Sequence, residues 1–175
     1  TPWASGLLIL AYFSGNLGMK TVTTPLLRRF GFRRVLVVNG VIGALAIAAC
    51  GLLTPATPDS LTIALLVLAG LTRSMQFTAL NTLTFADTTV KQRSSASTLS
   101  SMLQQASMVI GIAVGALLLR SSQAWQAQDS PTLLDFRIAF GVIGLIGLLA
   151  ALRFLRLAPE AGAEISGHLP SRHII

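Results

Sequence analysis

Residues 61–85 read LTIALLVLAGLTRSMQFTALNTLTF, a run in which Arg73 is the sole charged residue. About 20 mostly apolar residues cross the hydrocarbon core of a bilayer as a helix. This stretch has that length, so it reads as a spanning helix with a charge in its middle. Four further segments qualify, at 3–26, 35–53, 96–119 and 136–155. Between them lie Arg28-Arg29-Phe30-Gly31-Phe32-Arg33-Arg34, a Pro55- and Pro58-containing stretch, a polar stretch at 87–95 and a longer one at 120–135. Each carries the Pro, Gly or polar clusters of a connection. The sequence predicts an all-α, polytopic transmembrane bundle of about five spanning helices over residues 1–157, followed by a polar cytoplasmic tail, 158–175.

Composition agrees. Hydrophobic residues make up 53% of the chain and charged residues 11%, against roughly a quarter charged in soluble domains. A soluble fold of this length would lack a polar shell, so a soluble enzyme is excluded. The net charge of +7 would ordinarily suggest nucleic acid. Here the basic residues sit in short clusters between apolar runs, which suits loops facing anionic lipid and excludes a nucleic-acid partner. Alternate connections place Arg28, Arg29, Arg33, Arg34, Lys91, Arg93, Arg153, Arg156 and Arg172 on one side and only Arg120 and Arg137 on the other. Cytoplasmic loops carry the excess of Lys and Arg, so the chain is expected to start outside and end in the cytoplasm. Trp3 and Trp125 then fall at the outer interface.

Cys50 is the single cysteine, so no intrachain disulfide forms and no metal-ligand spacing exists. His168 and His173 read as solvated tail residues. The chain opens on Thr1-Pro2-Trp3 and its first apolar stretch is too long for a signal-peptide core. We therefore expect a segment of a longer protein, with further helices before it.

Polar residues at depth are costly and are functional candidates by default. At 100° per residue, Gln76, Phe77, Leu80, Asn81, Thr84 and Asp87 fall within about 80° of Arg73, which predicts one polar stripe lining a pathway. The bland alternative is that Arg73 merely pairs with helix-end carbonyls or an acid elsewhere and holds helices together. In the fourth span, Ser97, Ser100, Ser101, Gln104, Met108, Gly111 and Gly115 share a face. Gly111 and Gly115 form a GxxxG pattern that permits close helix approach. Tyr12, Asn16 and Lys20 share a face of the first span, with Lys20 placed to snorkel. Gly141, Gly144 and Gly147, like Gly40 and Gly43, read as packing residues. No Asp or Glu lies in the middle of any span, so a proton-carrying carboxylate is expected outside this segment. No nucleophile–base pair, metal cluster or phosphate loop is present, and no cofactor is expected.

Several stretches resemble a known family. They are 70–83 (GLTRSMQFTALNTL), Ala86-Asp87, Ser97-Thr98-Leu99-Ser100-Ser101 and Gln104-Gln105. From Gly6 to about Arg156 the chain is similar to the C-terminal portion of major facilitator superfamily transporters, and most to the fourteen-span EmrB/QacA drug:proton antiporters. Arg29-Phe30-Gly31-Phe32-Arg33-Arg34 resembles the later copy of that family's inter-helix motif. Thr24 stands for its leading Gly, Arg28 for its acid and Phe32 for its first basic residue, leaving a Gly31 turn and the positive Arg33 and Arg34. Arg73-x-x-Gln76 resembles the proton-relay Arg-x-x-Gln, with Phe77 for the following Gly, though that motif belongs to the other half of the family fold. The resemblance implies a secondary transporter of the bacterial inner membrane working by alternating access. It further implies an amphipathic or cationic small-molecule substrate and protons as coupling ion. A sugar or amino-acid transporter of the same superfamily, or a non-transporting membrane scaffold, are the other readings. On this view Tyr12, Asn16, Arg73, Gln76, Phe77, Asn81 and Gln104 line the substrate pathway.

Overall fold

The computed structural model describes residues 2–85, 88, 92–128, 130–158 and 161–162, with backbone alone at 2–5, 20 and 21. Trp3 and Lys20 thus have no described side chain, and Asp87, Lys91, His168, Arg172 and His173 lie outside the described residues. Every element is helical: α1 (Pro2–Cys50), α2 (Asp59–Thr84), α3 (Arg93–Gln126), α4 (Leu133–Arg153) and a 3-10 turn, Phe154–Arg156. Val22–Cys50, Asp59–Thr84, Arg93–Gln126 and Leu133–Arg156 are long and apolar enough to cross a membrane, while the apolar helical stretch Gly6–Met19 is shorter. The all-helical, multi-span architecture expected from hydropathy is what the chain adopts.

α1 is two helices that turn back on each other at Gly31. On a straight helix Gly15 and Gly43 would stand about 42 Å apart at 1.5 Å per residue. Both instead meet the same short stretch of α2. A Cβ on Gly15 would run into the Val67 carbonyl, and one on Gly43 would lie 3.3 Å from Thr72 Oγ1. Gly31 sits at φ 74, ψ 161, a region essentially restricted to glycine. The expected basic loop at 28–34 is therefore a single-residue break, helical on both sides. Pro25 lies within the first half of α1, facing outward, where its missing N–H weakens the helix just before the reversal.

The reversal is held by the core. Leu27, Phe32, Val35 and Leu36 from either side of Gly31 bury against Met75 and Ala79 of α2, with Met19, Leu26, Leu83, Phe154 and Leu157 packed around them. Phe32 is 1% exposed, and Gly162 lies on its ring so closely that a Cβ there would come within 2.6 Å of it. This core gathers Arg28, Arg29, Arg33, Arg34, Arg153 and Arg156 at one end of the bundle, called here the basic end. The Arg29 guanidinium lies 5.5 Å from the centre of the Phe30 ring, a cation–π distance.

The second half of α1 runs antiparallel to α4 along a seam of small residues. Gly51 faces Phe140, Ala48 faces Gly144, Ala44 faces Gly147 and Gly40 faces Ala151. Small residues at three- and four-residue spacing let backbones approach and gain dispersion contacts where lipid supplies no hydrophobic drive.

α3 extends past its expected span to Gln126, where Ala127 in a left-handed conformation (φ 51) ends it. Gln128 N–H then donates to the Gln123 carbonyl at 3.1 Å, a Schellman-type stop. Hydropathy marks where a bilayer ends; Arg120, Ser121, Ser122 and Gln123 are polar but helix-compatible, so the helix continues. α4 starts at a capping box, in which the Asp135 carboxylate accepts from Thr132 N–H at 2.7 Å.

Candidate functional site

α2 has two unlike faces. Gly70, Thr72, Ser74, Met75 and Ala79 are buried, and a Cβ on Gly70 would strike the Tyr12 carbonyl of α1. A different side, with Gly70 at its margin, presents Arg73, Phe77, Leu80 and Thr84, all exposed. These four lie within about 60° of one another at 100° per residue. Arg73 stands 14 residues from Asp59 and 11 from Thr84, about 21 and 16 Å along the axis, and so near the helix middle.

Neighbouring helices claim the two flanks of the expected stripe. Gln76, on one flank, turns toward α1: its Oε1 accepts from Asn39 Nδ2 at 2.9 Å, and the same amide donates to the Thr72 carbonyl at 2.8 Å. Asn81, on the other flank, accepts from Gln104 Nε2 of α3 at 2.9 Å. Arg73 remains between them. It has no hydrogen-bond or ion-pair partner among the described residues.

Around this face, Tyr12 is half-buried, its ring edge-on to Phe13 with centroids 5.7 Å apart. Asn16 is half-buried with its backbone nitrogen against Gly70. α3 is almost bare: Ser122 is its one buried residue among those described. An open groove of about 510 Å³ lies against Ser97, Thr98, Ser101, Met102 and Gln105 of α3. Of the expected packing glycines, Gly144 touches Ala44 and Ala48, Gly115 just reaches Ile143 at 4.0 Å, and Gly111 and Gly141 meet nothing within 4 Å. Gly31 is the reversal itself, with Arg33 half-buried and Arg34 exposed beside it.

Two polar groups escaped the sequence reading. Asn39 sits inside the apolar run 35–53, where a lone amide was itself the signal. Asp135 was assigned to a connection, yet it is fully buried. It accepts from Ser122 Oγ, from Gln126 Nε2 at 2.6 Å, and from Thr132 N–H and Oγ1 at 2.7 and 2.8 Å. Thr132-x-x-Asp135 before an apolar run is a capping signature visible in sequence; its capture of α3 is not. This knot ties the ends of α3 and α4 together at the pole opposite the basic end.

Among the described residues no group of three or more His, Cys, Asp or Glu is placed to hold a metal ion. What the helices offer is a guanidinium, amides and hydroxyls along apolar rods. Comparison with known sequences decides the family. The sequence profile of the Major Facilitator Superfamily matches residues 1–173.

The chain belongs to the Major Facilitator Superfamily.

Among its relatives, a Serratia proteamaculans (strain 568) protein bearing the name multidrug resistance protein MdtD is 32% identical over 162 residues, covering 91% of this chain and 34% of its own. A namesake from Yersinia pestis (strain Pestoides F) is 31% identical over 166 residues, covering 94% and 36%. The chain thus spans about a third of the length of these relatives. No solved structure matches it.

Proposed function

We propose that this chain forms part of a proton-coupled efflux transporter of the fourteen-span multidrug type, working by alternating access in a bacterial inner membrane. The basic end faces the cytoplasm and the Asp135 knot faces outward, in line with the Lys and Arg bias of cytoplasmic loops. Arg73, with no partner among the described residues, carries the reading. An arginine at mid-helix facing lipid would cost about 2.5–3.5 kcal/mol on insertion scales. A helix that could have carried leucine there gains nothing from that unless the face meets water, solute or another helix. Phe77 and Leu80 beside it suit an apolar solute body, and Asn81 with Gln104 forms one margin of the path. Tyr12 and Asn16, on the first half of α1, flank this face at Gly70 and continue the wall in the full-length protein.

The names of the relatives support multidrug cargo. The test is accumulation of a panel of drugs in cells making the full-length transporter, with and without a proton uncoupler. Efflux that collapses with the uncoupler is expected, with a fall of about tenfold or more in Arg73→Ala for at least one drug of the panel, from the loss of a charged hydrogen-bond donor. Normal efflux by a normally expressed Arg73→Ala protein would sink the assignment.

A further inference from the structure

The charges of the described bundle sharpen the kind of cargo. Only two carboxylates lie in the described helices, Asp59 and Asp135. Asp135 is buried and accepts four hydrogen bonds, about the full acceptor capacity of a carboxylate, so it offers nothing to a cation. Asp59 is exposed in the first turn of α2, about 21 Å along the axis from Arg73. The amide oxygens flanking Arg73 are engaged as well, Gln76 Oε1 by Asn39 and Asn81 Oδ1 by Gln104. A cation brought to this face therefore meets a fixed positive charge and no free anionic group of the described helices. An anion meets a guanidinium with its donors open. Phe77 and Leu80 continue the same face, 53% and 38% exposed, and Leu80 stands about 10 Å from Arg73 along the axis.

We infer that this face of α2 takes amphipathic anions. A carboxylate or sulfonate head pairs with Arg73, bidentate in the manner of guanidinium–carboxylate recognition, and a flat apolar body lies along Phe77 and Leu80. The inference rests on the transport reading above and narrows the amphipathic or cationic cargo that the family resemblance implies to amphipathic anions. Lysine would keep the charge but not the planar fork, so the two basic residues should be distinguishable.

The experiment uses the full-length transporter in energised everted vesicles, with radiolabelled cholate as the amphipathic anion and ethidium as the cation. Wild type is expected to accumulate cholate. Arg73→Gln should raise its KM about ten- to hundredfold, the scale of a lost charged hydrogen bond, with a smaller change in maximal rate. Arg73→Lys should recover part of the loss, and ethidium uptake should rise in Arg73→Gln. Wild type that moves ethidium but not cholate overturns the inference while leaving the transport reading intact. Equal losses for both ions in Arg73→Gln also overturn it, and transport of neither ion overturns both readings. Wild-type protein supplies a check that needs no variant: cholate, and not ethidium, should slow modification of Arg73 by phenylglyoxal. Equal rates with and without cholate would count against the pairing.

Discussion

Gly31→Ala isolates the residue on which the bundle turns. At φ 74, ψ 161 an alanine is held in a conformation that costs about 1–3 kcal/mol. The same substitution favours a continuous helix by about 1 kcal/mol, the difference in helix propensity between the two residues. The second effect bears only on a straightened helix, so against unfolding the full-length protein should lose about 1–3 kcal/mol of stability. The alternative of straightening is opposed by the core, since Leu27 and Phe32 cannot both stay on Met75 and Ala79 if α1 runs straight. The variant should thus keep its fold and unfold earlier. Reversible unfolding in mixed micelles, followed by circular dichroism, measures the loss. Gly18→Ala is the control, because a Cβ there meets nothing within 4 Å on the same helix. A Gly31→Ala protein within about 0.5 kcal/mol of wild type, the usual effect of a surface change, would refute the account of the reversal.

Other substitutions probe the helix contacts one at a time. Gly70→Ala drives a Cβ into the Tyr12 carbonyl, and since both partners are backbone the crossing must widen; a loss of about 1–3 kcal/mol is expected in the same unfolding assay. Asn39→Val removes two interhelical hydrogen bonds, each worth about 0.6 kcal/mol in membrane proteins. A double-mutant cycle with Gln76→Leu should return a coupling of that size, and zero coupling would mean the bond does not form. Asp135→Ala frees Ser122, Gln126 and Thr132 at once and should expose the 127–131 connection to protease added from one side of the membrane. Unchanged cleavage would show that the knot does not hold the two helix ends.

Much of the architecture could be read in the residues because a bilayer imposes a coarse rule: length and apolarity announce a helix. The rule is blind to backbone reversals inside a polar stretch. Residues 28–34 look like a loop because four arginines interrupt the hydropathy, yet arginine is a good helix former and only Gly31 leaves the helix. It is equally blind to polar residues that continue a helix beyond the apolar slab, as α3 does through Ser122. For the site, periodicity put Arg73, Gln76, Phe77 and Asn81 on one side of α2. Angular position alone does not say which neighbour claims each flank, and Asn39 and Gln104 settled that for Gln76 and Asn81. The capture of Asp135 by Ser122 was out of reach for a further reason: it joins two helices across a turn whose path the sequence does not fix.

The core at the basic end also sets an order of assembly. Gly162 covers Phe32 and Phe154 and Leu157 pack on the same core, so the reversal at Gly31 is synthesised long before its lid exists. About 130 residues separate the two, which at ribosomal speeds of about 5–20 residues per second is a delay of roughly 6–26 seconds. Through that interval the hairpin at Gly31 has one side of its core uncovered, until α4 and the segment after it close it. A chain interrupted after α3 should therefore leave an unfinished first hairpin, recognisable to the proteases that survey membrane insertion.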